Sequence, residues 1–160
     1  ATNTSLERMV REYDSISICL SKGLGAPIGS VLVGSRTFIA QAHRWRKMFG
    51  GGMRQAGMLA AAGLHALDHH VERMVEDHSR ATQLASSINA INGFTVDLST
   101  VETNMVYFTS EIPATKVMDA LATSGIDVLD IGPHSCRIVV HLHVTDEDVS
   151  EVIRAFKNFA

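Results

Sequence analysis

The chain has 160 residues, of which 46% are hydrophobic and 19% are charged, and this composition is that of a globular domain with a sizeable apolar core. The formal net charge of -3 argues against a general nucleic-acid-binding or membrane-surface role, although scattered basic residues could still bind a small anion. No apolar run reaches the length of a membrane span. Cys19 and Cys136 lie far apart, which favours free thiols in a reducing compartment over a single disulfide. We therefore expect a cytoplasmic protein, with a mitochondrial location as the alternative.

A short helix and two strands are predicted at the start of the chain. Thr4 or Ser5 can cap the helix. The segments SISICL at 15–20 and SVLVG at 30–34 are rich in β-branched residues, which predicts two short buried strands of an α/β sheet. The segment SKGLGAPIG at 21–29 joins them, and its glycines and proline specify a tight path. Because two strands do not form a stable sheet alone, we expect further strands to complete it.

Two helices and a third, linking helix are predicted next. SRTFIAQAHRWRKMF at 35–49 has an apolar stripe and a basic end, and the three glycines that follow terminate it. RQAGMLAAAGLHALDHHV at 54–71 is the second helix, and small residues in its middle let another element approach closely. ERMVEDHSRATQLASSINAI at 72–91 continues after a break or bend and ends at an Asn-Gly turn.

From residue 94 the pattern changes to alternating short strands and helices. The candidate strands are FTVDL, TNMVYFTS, IDVLDI and RIVVHLHV, and ATKVMDALATSG is predicted as a helix that ends at Gly125. TDEDVSEVIRAFKNF is predicted as the last helix, with Thr145 as its N-cap and acidic residues in its first turn. We therefore divide the chain into residues 1–70, a linking helix at 71–93 and a small α+β domain at 94–160.

Lys22 is a candidate catalytic residue because it follows an apolar strand and precedes a loop that contains three glycines. A lysine in water is almost wholly protonated, with a reference pKa of about 10.4, and it attacks an aldehyde only when neutral. Burial lowers the pKa of an amine, so we expect Lys22 to be buried between the two strands. The strand end fixes its backbone, and the glycines let a flat ligand come near. These features match a Schiff-base lysine, and an ordinary lysine in a surface turn is the alternative.

Two long blocks, SICLSKGLGAPIGSVLVGS at 17–35 and HRWRKMFGGGMRQAGMLAAAG at 43–63, resemble the threonine aldolase family. The likeness extends through TNMVYF and CRIVVHLHV to the end, so it covers almost the whole chain but only the C-terminal half of a family member. These enzymes are fold-type I lyases that depend on pyridoxal 5'-phosphate (PLP). The resemblance implies an α/β chain with the last strands of a large-domain sheet in residues 1–70, long linking helices and a small C-terminal α+β domain.

The resemblance also implies an active site. Lys22 would carry PLP as a Schiff base, and the enzyme would cleave a β-hydroxy amino acid, L-threonine or L-allo-threonine, to glycine and acetaldehyde. Arg54 and Lys47, which flank the three glycines, would contact the phosphate or the active site, with Arg54 acting in its own or a neighbouring subunit. Arg137 would hold the substrate carboxylate through two parallel hydrogen bonds. The alternatives are basic residues that offset a helix dipole, a flexible glycine joint and an arginine in a surface salt bridge.

The remaining active-site groups of the family are expected N-terminal to this chain, among them a ring-stacking histidine and an aspartate for the pyridine nitrogen. A catalytically incompetent truncated remnant that keeps the fold and an interface is therefore one alternative function, and another fold-type I lyase acting on a β-substituted amino acid is a second. For the intact protein we expect a homo-oligomer. The eight histidines show no HExxH motif or zinc-site spacing, so we predict no metal site and assign His65, His69 and His70 to a polar helix face.

Overall fold

The computed structural model describes residue 1 and residues 3–159. In chain order the described elements are α1 (Leu6–Val10), β1 (Ser15–Cys19), β2 (Ser30–Gly34), α2 (Arg36–Met48), α3 (Gly57–His69), α4 (Met74–Asn89), β3 (Phe94–Thr95), a 3-10 turn (Leu98–Thr100), β4 (Met105–Ser110), α5 (Ala114–Ala122), β5 (Leu129–Gly132), β6 (Ser135–Val139) and α6 (Asp146–Lys157). They divide into an N-terminal unit within Thr2–Glu72 and a C-terminal unit within Arg73–Ala160. Among the described helices, none is both long and apolar enough to cross a membrane.

The strands β1 and β2 form an antiparallel ribbon whose register runs from Ser15 opposite Gly34 to Cys19 opposite Ser30. Both predicted strands are confirmed, but the prediction that they are buried is wrong for this chain. All of β2 is exposed, and Val33 retains 49% of its accessible surface. A strand becomes buried only when other elements cover both of its faces. In the described part of the chain α2 packs along β2, and much of the ribbon faces solvent.

The main helices of the N-terminal unit begin at local signals in the sequence. At the start of α2 the Ser35 hydroxyl accepts the Phe38 backbone N–H at 3.2 Å, which satisfies one of the free donors of the first turn. We predicted that α3 begins at Arg54, but it begins at Gly57. Gln55 has a φ of 51°, and this left-handed backbone conformation cannot be part of a right-handed helix.

The small residues in the middle of α3 allow a close approach, as predicted. A Cβ atom built on Gly63 would lie 3.2 Å from Leu20 Cδ1, at the end of β1, and both residues are buried. A larger side chain at this position would push away Leu20 and the loop that follows it. The contact of Gly63 in α3 with Leu20, the residue after β1, therefore fixes where the Lys22 loop begins.

The C-terminal unit is built on a four-stranded antiparallel sheet with the order β3-β4-β6-β5. Burial alternates along β4, so Val106 and Phe108 face the core while Tyr107 lies on the exposed face. The helices α4 and α6 pack together, and α4 packs on β4. Phe156 from α6 contacts Phe94 and Phe108 edge to face, with ring centroids 5.2 and 5.3 Å apart. This aromatic cluster lies in the apolar core of the unit.

A buried ion pair lies at the start of α4. The Arg73 guanidinium donates to both carboxylate oxygens of Asp77, with Nη1 at 3.2 Å from Oδ2 and Nη2 bonded to Oδ1. The side chain of Asp77 is 1% exposed and that of Arg73 is 15% exposed. Arg80 makes a second bridge from α4 to Asp146 of α6, with its Nε 2.7 Å from Oδ1, but the Asp146 side chain is 76% exposed. The unit thus contains two arginine–aspartate pairs, one with a buried carboxylate and one with an exposed carboxylate.

The predicted N-cap of α6 is confirmed and forms a reciprocal pair. The Thr145 hydroxyl accepts the Asp148 N–H at 3.2 Å, and the Thr145 N–H donates to Asp148 Oδ2 at 2.8 Å. We expect Thr145→Ala to lower the free energy of unfolding of the C-terminal unit by about 1 kcal/mol, measured by urea denaturation. An unchanged urea midpoint would show that the cap contributes nothing to stability.

The same cap predicts a pH dependence. Hydrogen bonds from the Thr145 backbone and then from its side chain lower the pKa of the Asp148 carboxyl below its usual value. A lowered pKa in the folded state means that the carboxylate stabilises the fold fully above the unfolded-state pKa of about 3.9, and that this stabilisation is lost as pH falls through the folded-state value. Asp148→Asn should therefore be less stable than the parent at neutral pH, and the difference should vanish in acid.

Candidate active site

The loop of residues 20–29 joins β1 to β2 and is closed by its own backbone. The Leu20 N–H donates to the Gly29 carbonyl and the Ala26 N–H donates to the Leu20 carbonyl, both at 3.0 Å. Leu20, Leu24 and Ala26 are buried and hold the loop from inside. Gly29 has a φ of 108°, which other residues rarely adopt, so the return into β2 depends on glycine.

Lys22 begins a tight turn within this loop. The Gly25 N–H donates to the Lys22 carbonyl at 2.8 Å, and Gly25 has a positive φ of 67°. The Lys22 side chain is exposed, so the prediction that it is buried between the two strands is wrong for this chain. The reason is geometric, since the buried Leu20 and Leu24 face the interior and the lysine between them faces outward. The residues of this chain fix the lysine backbone but do not remove its amine from water.

Cys19 lies at the end of β1 beside the lysine loop. It is half-buried, and its Sγ lies 3.5 Å from the Ser21 hydroxyl. Hydrogen bonds from the Ser21 side chain and backbone lower the pKa of the Cys19 thiol, and Ser30 and the positive charge of Lys22 act in the same direction. Both cysteines are free thiols, as predicted.

His70 follows α3 and contacts the lysine loop directly. Its Nδ1 atom lies 2.7 Å from the Leu24 carbonyl oxygen. Because a carbonyl oxygen can only accept, Nδ1 must carry the proton and donate it. From the sequence we expected His70 on a polar helix face, and this contact was not predicted. Its partner lies 46 residues earlier in the chain, and no local pattern signals so distant a bond.

A cavity of about 530 Å³ lies at the end of α2. It is lined by Met48, Gly52 and Met53 together with five basic residues, His43, Arg44, Arg46, Lys47 and Arg54. The structure therefore brings together the two predicted phosphate contacts, Lys47 and Arg54. A Cβ atom on Gly52 would lie 2.7 Å from Lys47 Cδ, so the lysine stem lies directly over the glycine backbone. None of these arginines and lysines forms a salt bridge with a carboxylate of the described residues. A site with several cations and no paired anion suits a phosphate group.

Within the described residues, no group of three or more His, Cys, Asp or Glu side chains could hold a metal ion.

Arg137 lies on β6 in the C-terminal unit, opposite Tyr107 on β4 and Leu129 on β5. Its Nε atom is buried and has no hydrogen-bond partner among the described residues. A buried N–H group without an acceptor is costly, by about 1–3 kcal/mol, and such groups are rare in folded proteins. Arg137 Nε is thus a buried donor that no acceptor among the described residues satisfies.

Residues 1–111 of the chain match the model of a family described as beta-eliminating lyase. The chain belongs to the beta-eliminating lyase family. The matched range includes Lys22, Lys47 and Arg54, and it ends before Arg137.

Similar proteins support and extend this membership. The chain is 40% identical over 161 residues to low-specificity L-threonine aldolase 1 of Arabidopsis thaliana, a match that covers 98% of the chain and 45% of the relative. It spans about half the length of the curated relatives it matches. The solved structure of a putative L-allo-threonine aldolase from Listeria monocytogenes shares the fold with a TM-score of 0.80 at 19% identity, over 98% of this chain and 47% of that chain. A structure of SPT with a PLP internal aldimine matches with a TM-score of 0.68 at 18% identity, over 91% of this chain and 39% of that chain. This member of the beta-eliminating lyase family thus has the fold of the C-terminal part of fold-type I PLP enzymes, as predicted.

Proposed function

We propose that the protein containing this chain is a PLP-dependent lyase that cleaves L-threonine or L-allo-threonine to glycine and acetaldehyde, with Lys22 as the attachment point of the cofactor. The observation that carries this proposal is the Lys22 turn, which fixes the lysine backbone by a 2.8 Å hydrogen bond and leaves the amine exposed for reaction with an aldehyde. The turn belongs to the part of the chain that matches the family and the threonine aldolases of plants and bacteria.

The residues present fit the parts of the cofactor that this chain would hold. When bound, PLP supplies an electron-withdrawing ring that stabilises the charge left on the substrate Cα atom after bond cleavage. Lys22 would provide the amine that replaces the oxygen of its aldehyde group, and that oxygen would leave as water. Lys47 and Arg54 hold the phosphate, in the same or a neighbouring subunit of a homo-oligomer, because their charges converge on one cavity without a paired carboxylate.

Arg137 binds and orients the substrate carboxylate in this proposal. A guanidinium binds a carboxylate through two parallel N–H donors, and the buried Nε of Arg137 is a donor in need of an acceptor. Fixing the carboxylate restricts rotation of the substrate about its Cα atom. In this proposal residues 1–70 are part of a PLP-binding domain, residues 71–93 are a linking helix, and residues 94–160 are a small α+β domain that orients the substrate.

Borohydride reduction after incubation with PLP tests the proposal. We expect a stable pyridoxyl adduct on Lys22, located by peptide mass mapping. Lys116 and Lys157, which the proposal does not place at the cofactor, serve as internal controls. A Lys22→Arg variant should keep the charge and lose the adduct. Equal labelling of Lys22 and these two control lysines would contradict the assignment and favour a non-catalytic remnant of the fold.

A further inference from the structure

A chain of two hydrogen bonds joins the imidazole of His70 to the backbone of Lys22. The His70 Nδ1–H donates to the Leu24 carbonyl at 2.7 Å. The next N–H along the backbone, that of Gly25, donates to the Lys22 carbonyl at 2.8 Å. The carbonyl and the N–H belong to the same peptide group, between Leu24 and Gly25. This one peptide group is therefore held by His70 on one side and holds Lys22 on the other.

The peptide group between Leu24 and Gly25 would otherwise be easy to reorient. A peptide plane turns over by coupled changes in ψ of the residue before it and φ of the residue after it. Gly25 follows this plane, and glycine adopts positive and negative φ with similar ease, so its present φ of 67° is not enforced by its own sterics. If the plane turned over, the Gly25 N–H would point away from the Lys22 carbonyl. The imidazole prevents this change by fixing the Leu24 oxygen.

We propose that His70 is a positioning residue for Lys22, acting through the Leu24–Gly25 peptide group. The loop assignment stands on the hydrogen bonds alone, while the role of the positioned amine rests on the proposed function. Hydrogen bonds in series polarise one another, so the donation from His70 also strengthens the Gly25–Lys22 bond. The donation requires the neutral Nδ1–H tautomer or the imidazolium, and both carry a proton on Nδ1.

A neighbouring histidine offers a matched control. The His69 Nδ1 lies 2.9 Å from the His65 carbonyl of its own helix, so its hydrogen bond stays within α3. The His65 ring stacks on His69 with centroids 4.2 Å apart and meets the His70 ring edge to face at 5.3 Å. The three imidazoles are thus neighbours, but within the described residues only the hydrogen bond of His70 reaches the lysine loop.

Hydrogen exchange in cofactor-free protein tests the loop assignment without reference to activity. In His70→Ala we expect the amides of Leu20, Gly25 and Ala26 to exchange about five- to tenfold faster, the change that loss of one hydrogen bond produces. His70→Asn places an amide N–H near the position of Nδ1 and should stay within about twofold of the parent. His69→Ala should exchange like the parent in this loop. Parent-like exchange in His70→Ala, or equally fast exchange in the Asn variant, would overturn the proposal.

The rate of pyridoxyl labelling at Lys22 tests the consequence for the amine. We expect His70→Ala to be labelled about five- to tenfold more slowly than the parent at limiting PLP, and His70→Asn to recover the parent rate. Equal labelling of the Ala variant and the parent would overturn the positioning of Lys22. If Lys22 stays unlabelled in the parent while exchange responds as expected, the proposed function fails and the hold of His70 on the loop stands. Far-ultraviolet circular dichroism and a thermal melt of each variant separate these outcomes from loss of the fold.

Discussion

Replacement of Lys22 by alanine is expected to lower the threonine-cleaving kcat of the protein that contains this chain on the order of 10³-fold or more. Lys22 carries the one side-chain amine of the 20–29 loop, and a Schiff base with an aldehyde requires an amine. Steady-state assays of acetaldehyde production from L-threonine and L-allo-threonine measure the loss. Retention of more than about a tenth of the parent kcat would contradict a covalent role for Lys22.

Two further variants separate covalent chemistry from charge. Lys22→Arg keeps the positive charge but presents a guanidinium that stays protonated, so it should be as inactive as the alanine variant. A small primary amine added to Lys22→Ala should restore part of the activity, because it can occupy the space of the missing side chain. Lys116→Ala removes a lysine of α5 in the other unit and should retain the parent kcat. If arginine restored activity, the lysine would be acting only through its charge.

The second large effect concerns stability and the buried ion pair of α4. Asp77→Ala is expected to lower the free energy of unfolding of the C-terminal unit by about 3–5 kcal/mol. The substitution leaves the charge of Arg73, whose side chain is 15% exposed, without its two-point acceptor. Urea denaturation followed by circular dichroism measures the change, provided that the slope of the transition is unchanged.

The surface bridge of the same unit is the matched control for that experiment. Asp146→Ala removes a carboxylate that is 76% exposed and bonded to Arg80, so it should cost about 0–1 kcal/mol. The double variant Arg73→Met with Asp77→Leu should be more stable than Asp77→Ala, because no buried charge is left unpaired. A cost below about 1 kcal/mol for Asp77→Ala would mean that Arg73 turns to Glu76, whose carboxylate is 3.9 Å away.

Local chemistry made most of the elements predictable from the sequence. Ser35 and Thr145 mark the starts of α2 and α6 because a hydroxyl that accepts an N–H of the first turn acts within three residues. The positions predicted for the ends of the strands were less accurate. The strand predicted over FTVDL stops at Thr95, because Asp97 accepts the Ser99 N–H and starts a 3-10 turn. The strand predicted over RIVVHLHV stops at Val139, and a turn leads from there into α6.

The sequence allowed us to predict which residues form the candidate site, but not how exposed they are or which distant residues contact them. The apolar and glycine frame of Lys22 is a local pattern, and so are the basic residues around the three glycines at 50–52. Burial depends on surfaces that are distant in sequence, which is why the exposure of Lys22 could not be predicted from its neighbours. The contact from His70 to Leu24 also depends on how α3 packs, because the two residues are 46 positions apart.

The exposed ribbon of β1 and β2 has a consequence for how the lysine could become reactive. Within the described chain each of its strands has one neighbour, so both outer edges carry unpaired N–H and C=O groups that can accept another strand. An added strand would extend the aliphatic surface of the ribbon beside the loop that carries Lys22, and would lower the local dielectric there. Completion of the sheet and removal of water from around the Lys22 amine would then occur in a single assembly step.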